Sequence, residues 1–194
     1  MRPTIGLFCS ASDRLPQSAG DLAAEFGRLA AERGVRLVYG GSARGLMGIA
    51  ARAAHAAGGE VWGFMVDALS VREQADAAIG ILHHVPTLDD RKRAFAECSD
   101  AFVALPGGIG TLDEITEMLT LDDIGAQAKP MILCDSDGFW DPFFSMLERF
   151  GEYGVLRPAL AHDLLRAHGA QAALEQFARL VPLAAAGGAA GVLR

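Results

Sequence analysis

"DAFVALPGGIGTLDEITEML", residues 100–119, runs from an apolar stretch through a proline and three glycines into an acidic, helix-like stretch. The apolar part reads as a short strand covered on both faces, "LPGGIGT" as a tight turn, and the remainder as a helix opening at Thr111. Glycines in such a turn can take positive φ and let backbone N–H groups come close to an anion, while the helix N-terminus adds a partial positive charge. A phosphate fits this description. The competing reading is a strand-to-helix connection that is merely tight.

The same alternation of apolar, β-branched runs with Ala- and Leu-rich amphipathic runs recurs about six times along the chain, as βα units around a parallel sheet require. Strands are expected at residues 4–10, 35–40, 60–66, 79–85, 100–106 and 130–135, and helices at 17–33, 45–57, 89–98, 111–123 and 140–150. The expected class is α/β: a Rossmann-like, doubly wound, mainly parallel sheet with helices on both faces. A further helical pair, 158–166 and 169–180, is expected on the sheet edge. With 194 residues and no composition break, residues 1–182 read as one domain, and 183–194, low in complexity, as a flexible tail.

The composition excludes several function classes. Hydrophobic residues make up 51%, yet no apolar run reaches the roughly 18–20 residues that span a bilayer. The first apolar stretch reads as a buried strand rather than a signal peptide, so a cytoplasmic location is expected. A formal net charge of −7 argues against a nucleic-acid surface. Cys9, Cys98 and Cys134 are odd in number and lack CxxC spacing, which argues against a disulfide framework or a zinc site. No His pair has metal-ligand spacing, so no metal is expected; no cofactor is expected either.

In a doubly wound sheet, ligands bind beyond the carboxyl ends of the strands near the point where strand order reverses. The loops to interrogate are therefore Ser10–Asp13, Gly40–Gly48, Thr87–Arg93 and Pro106–Glu114. The dinucleotide fingerprint fails, because Asp113 stands where the third glycine should be. The P-loop fails too, because Leu46 and Met47 stand where Lys and Ser/Thr are needed. Thr111 and Glu114 have the spacing of a capping box, but Glu114 is also placed to meet the ribose of a bound nucleotide. Asp113 reads as a partner for the helix dipole. In "TLDDRKRAF", residues 87–95, Arg91 and Lys92 sit near a helix start, where bases oppose the dipole and want an anion nearby. The glycines of "VYGGSARGLMG", residues 38–48, make a second close backbone approach, and Gly48 suits tight helix-to-sheet packing.

These segments, in this order, resemble the LONELY GUY (LOG) family of cytokinin-activating nucleoside monophosphate phosphoribohydrolases, often labelled lysine decarboxylases. The resemblance covers about residues 4–150. Its most specific element, Pro-Gly-Gly-x-Gly-Thr-x-x-Glu, is complete as Pro106, Gly107, Gly108, Gly110, Thr111 and Glu114. The family's Arg-Lys pair matches Arg91 and Lys92, and its Tyr-Gly-Gly…Gly-Leu-Met-Gly segment matches Tyr39–Gly48. The resemblance implies that Arg91 and Glu114 are catalytic. It implies that Gly107, Gly108, Gly110 and Thr111 cradle the phosphate, and that Lys92, Leu88, Gly41 and Ser10 help to bind substrate. The implied reaction is hydrolysis of the N-glycosidic bond of an adenine or N6-substituted adenine nucleoside 5′-monophosphate by a homodimer or higher homo-oligomer.

A decarboxylase using pyridoxal phosphate needs a Schiff-base lysine; the chain has only Lys92 and Lys129, neither suitably placed. Four places depart from the family pattern: Ser42 for a third glycine, Val66 for a proline, Leu88-Asp89 for Met-His, and Ser10-Ala11-Ser12 for Gly-Ser-Ser. The changes beside the Arg-Lys pair leave base preference open. Two other readings keep the fold: a non-hydrolytic nucleotide or molybdenum-cofactor carrier, and a phosphoribosyl transferase.

Overall fold

The computed structural model describes residues 2–126, 129–157 and 164–181. Its strands are β1 Thr4–Phe8, β2 Arg36–Tyr39, β3 Val61–Val66, β4 Ile81–Val85, β5 Ala101–Ala104, β6 Met131–Asp135 and β7 Leu164–His168. Its helices are α1 Gln17–Glu32, α2 Gly45–Ala56, the short α3 Ser70–Glu73, α4 Leu88–Cys98, α5 Ile109–Asp123, α6 Asp141–Glu152 and α7 Ala170–Leu180. The strands form one parallel sheet in the order β4-β3-β2-β1-β5-β6-β7. The chain builds outward from β1 on one side, then crosses to build outward on the other. This is the expected doubly wound α/β arrangement, and its reversal point lies between β1 and β5.

Every residue of β1, β5 and β6 is buried, which is why they read in sequence as continuous apolar runs. Alternate side chains feed two cores. Ile5, Leu7, Leu37 and Val103 meet α1, α2 and α7 on one face. Phe8, Val38, Phe102 and Leu133 meet α4, α5 and α6 on the other, around Phe95, Ile115 and Trp140. Ala50, Ala51 and Ala54 of α2 are buried within the chain, and a side chain at Gly27 of α1 would overlap the Ala50 backbone. Ala50, Ala51 and Ala54 thus serve internal packing, while Ala56 remains at the surface.

One expected element is corrected. Residues 164–166, assigned to a helix from sequence, belong to β7, which pairs with β6 from Met131↔Leu164 to Asp135↔His168. As an edge strand it mixes buried Leu164 and Ala167 with half-buried Arg166, whose guanidinium lies over Phe144 and pairs with Asp141. Residues 158–163 of that expected helix, and the expected tail 183–194, lie outside the described residues. The helix expected at 169–180 is α7.

Candidate active site

The loops after β1 and β5 meet at the reversal point, where the Ser10 N–H donates to the Pro106 carbonyl at 3.2 Å. α5 begins at Ile109, two residues earlier than expected, with Gly108 at its N-cap in extended conformation (φ −96°). Thr111 is therefore the third residue of the helix and Glu114 the sixth, so the capping box does not form. No side chain caps α5. Its first-turn amides are left for water or an anion.

Nor do the glycines of this loop work through positive φ, which none of Gly107, Gly108 and Gly110 adopts. They work by leaving room. A side chain at Gly107 would overlap that of Thr111, which is buried, whereas a Cβ at Gly108 or Gly110 would meet nothing within 4 Å. Bare backbone at the helix start thus faces open space, where an oxyanion could approach.

α4 starts differently. Thr87 Oγ1 accepts from the Asp90 N–H at 3.1 Å, and Asp89 and Asp90 occupy the first turn, where negative charge suits the helix dipole. The bases follow the first turn rather than filling it. Arg91, 8% exposed, places Nη2 3.6 Å from Glu114 Oε1 and Nη1 3.7 Å from Glu73 Oε2. Gly40 lies beside it, with the Met47 side chain 3.1 Å from where a Cβ would stand. Arg91 Nε and Nη1 have no hydrogen-bond partner among the described residues. A buried guanidinium left in this state favours a ligand that completes it.

Glu114 is 4% exposed. Burial pushes its carboxyl up to about 7; the Arg91 charge opposes this, while Asp113 and Glu73 add to it. The arrangement joins an open helix N-terminus, a buried cation and a carboxylate that changes charge near neutral pH. Such a set is suited to holding a phosphate and stabilising charge on a reacting centre beside it.

The other expected residues frame this pair. Lys92 bridges α4 and α5 through Asp113, at 3.3 Å, and Glu117. These contacts, the Glu117 hydrogen bond first, hold its ammonium pKa above the usual value despite partial burial. Its charge is thus matched within the protein, and Asp113 serves as a partner for Lys92. Ser10 Oγ accepts from the Ser12 N–H, and the Ser10 carbonyl accepts from the Met47 N–H, so Ser10 shapes the loop. Gly41 needs its glycine for backbone reasons, with φ 78° and Met65 Cβ 3.2 Å from where a Cβ would lie. Leu88, at the start of α4, is exposed. Asp13 joins the two loops by accepting from the Gly45 N–H at 2.9 Å and pairing with Arg44. A cleft of about 370 Å³ between α1 and α2 shares Asp13 and Gly45 with this bracket but includes neither Arg91 nor Glu114.

Glu73 is the residue that sequence reading missed. It lies in the segment after β3, whose carboxyl end obeys the same rule as those of β1, β2, β4 and β5, so the rule points to that segment but not to Glu73 within it.

Fold and site together define a doubly wound α/β protein with an uncapped helix start and a buried Arg–Glu pair at the sheet's reversal point. A family model described as "Possible lysine decarboxylase" matches residues 47–177. The cytokinin riboside 5′-monophosphate phosphoribohydrolase LOG of Oryza sativa subsp. japonica is 35% identical over 178 residues, covering 92% of this chain and 74% of that protein. An Arabidopsis thaliana protein with the same activity in its name is 33% identical, covering 92% and 83%. The chain belongs to the LOG family. Among solved structures, the molybdenum cofactor carrier protein of Chlamydomonas reinhardtii superposes with a TM-score of 0.72 at 23% identity, covering 93% of this chain and 98% of that one. The molybdenum cofactor binding protein of Rippkaea orientalis gives 0.71 at 22%, with the same coverage. At these identities the likeness is one of fold.

The decarboxylase description meets the same obstacle in the structure as in the sequence. Lys92 is held by carboxylates, and the Lys129 ammonium donates to the Ala96 and Ser99 carbonyls at the end of α4. Neither is disposed as a Schiff-base amine.

Proposed function

We propose that the protein hydrolyses the N-glycosidic bond of purine nucleoside 5′-monophosphates, with adenine or N6-substituted adenine as base, to free base and ribose 5-phosphate. The observation that carries this reading is the buried Arg91–Glu114 pair, 3.6 Å apart, beside the uncapped start of α5. The phosphate binds the amides of Gly107–Thr111. With that end fixed, binding energy holds the anomeric carbon beside the catalytic groups.

As the C1′–N bond breaks, its electron pair leaves with the base and positive charge develops on the ribose ring. Ionised Glu114 stabilises that positive charge and orients the water whose oxygen bonds to C1′. Arg91 stabilises the negative charge on the departing base. The water's proton ends on the base or in solvent. Lys92, paired with Asp113 and Glu117, ties α4 to α5 at the edge of the nucleotide site, and Leu88 lies on the base side. Two copies of the chain form the working unit, as the family resemblance implies.

A carrier reading of the same fold draws on the likeness to the molybdenum cofactor proteins. The buried Arg–Glu pair, which a carrier does not need, favours the enzyme. Chromatographic detection of free base from AMP, GMP, CMP and isopentenyladenosine monophosphate separates the two. The enzyme reading expects base release that Glu114→Gln and Arg91→Ala both abolish. Tight nucleotide binding with no base released from any of the four would replace it with the carrier.

A further inference from the structure

The segment after β3 brings a third charged side chain to this site. Glu73, at the end of α3, approaches Arg91 Nη1 at 3.7 Å while Glu114 approaches Nη2 at 3.6 Å. One guanidinium is thus flanked by carboxylates from two different helices, and the Glu73 side chain is only 17% exposed. We propose that Glu73 is a positioning residue of the active site, holding the Arg91 guanidinium in place opposite Glu114; this rests on the hydrolase reading above.

The backbone around Glu73 is fixed from several directions. Ser42 Oγ donates to the Glu73 carbonyl at 2.9 Å, and the Ala43 N–H donates to the same oxygen at 3.2 Å. Ser42 also forms an antiparallel bridge with Ala75. Gln74 follows at φ 51°, the one non-glycine residue at positive φ among the described residues. Such a conformation is strained and persists where surrounding contacts enforce it. Here it turns the chain directly after the carboxylate that meets Arg91.

The electrostatic role follows from the geometry. The groups acting on Glu114 are Arg91 and Lys92 from α4, Asp113 beside it on α5 and Glu73 from α3; the Cys9 thiol just after β1 feels the Glu114 charge in turn. Glu73 and Asp113 disfavour the ionised form, and Arg91 and Lys92 favour it. Removing the Glu73 charge takes away one disfavouring neighbour and frees the guanidinium to move toward Glu114. Glu114 then ionises at lower pH, and Arg91 is drawn from the base it should stabilise.

The test compares Glu73→Gln, Glu73→Asp and Ser42→Ala with wild type in two readouts. The first is the titration of the Glu114 carboxyl by 13C NMR of glutamate-labelled protein, with the resonance assigned from Glu114→Gln. The second is the pH profile of kcat and KM for AMP. For Glu73→Gln we expect the Glu114 titration and the acid limb of kcat to move down together, by roughly half a pH unit or more. At pH 8 kcat should fall about tenfold with KM within about twofold, the pattern of lost transition-state positioning rather than lost binding. Glu73→Asp should recover part of the rate, and Ser42→Ala should move both readouts the same way by less. An unmoved Glu114 titration in a folded Glu73→Gln protein overturns the proposal, as does a rise in KM with kcat unchanged. If wild type releases no base at any pH, the hydrolase reading fails, and the NMR titration alone decides whether Glu73 positions Arg91.

Discussion

Two helices start side by side at this site, and their starts are built in opposite ways. α4 is closed by its own residues: Thr87 caps the Asp90 amide and two aspartates sit in the first turn. α5 is left open, with Gly108 at the cap, no capping side chain and bare backbone at Gly108 and Gly110. A helix start that satisfies itself contributes stability and holds the residues that follow it, here Arg91. A start left unsatisfied waits for a ligand, and the buried Arg91–Glu114 pair lies beside it. The comparison predicts that changes on α4's cap act on stability and changes on α5's bare backbone act on binding.

The largest effect should come from the pair between the two helices. Glu114→Gln and Arg91→Ala are each expected to lower kcat/KM for nucleoside monophosphate by about 10³-fold, the scale of a lost electrostatic stabiliser of the transition state. Steady-state base release checks this. A loss of less than about tenfold in either variant would show that the pair is not where the barrier is lowered.

The open start should be sensitive in a different currency. Gly110→Ala places a methyl group in empty space on a helix, so the free protein should gain up to about 1 kcal/mol, while KM for AMP rises about tenfold because phosphate approaches that backbone. Denaturant melts and Michaelis kinetics on one preparation test both halves. An unchanged KM would remove the cradle from Gly110.

The charge state of Glu114 predicts a pH-dependent stability. Its folded-state pKa, about 7, is raised above an unfolded value near 4.5. Between these values the folded state binds more protons, so stability falls as pH rises through that window. Glu114→Gln removes the liability. Its stability relative to wild type should grow from pH 5 to pH 8 by up to about 3 kcal/mol, read from urea unfolding at both pH values. A constant difference would mean that Glu114 titrates normally.

The smallest effect belongs to the closed start. Thr87→Ala should cost about 1 kcal/mol of stability and lower kcat/KM by less than about threefold. A larger loss of activity than of stability would show that the α4 cap also governs catalysis.

The contrast between the helix starts also marks where the sequence was legible. β1, β5 and β6 could be read because every residue in them is buried, and β2 and β3 because all but one residue of each is; the edge strand β4, with no buried residue, could be read from its apolar run alone. β7 could not, because an edge strand with Arg166 and His168 has the mixed polarity of an amphipathic helix. The motif residues Gly107, Gly108, Gly110, Thr111 and Glu114 were legible as a group, but their local roles were not. Thr111-x-x-Glu114 looks like a cap, and only the helix start at Ile109 moves both residues inside the helix. Arg91 and Glu114 lie on different helices, so their meeting depends on the crossing from β4 to β5 around the sheet. Glu73 left no signal in "VREQ" itself, since a single exposed-looking glutamate in a short helix has many uses. Its importance comes from Ser42 and Arg91, 31 and 18 positions away in the chain.

The central claim is that the open start of α5 holds a phosphate so that Arg91 and Glu114 can act on the bond at the other end of the ribose. The most direct measurement is adenine release from AMP and from adenosine, side by side, at pH 8 and equal concentration. Free adenine and an equal amount of ribose 5-phosphate are expected from AMP, with release from adenosine at least about 10³-fold slower. Equal release from both, or AMP bound tightly with no adenine formed, would contradict the claim.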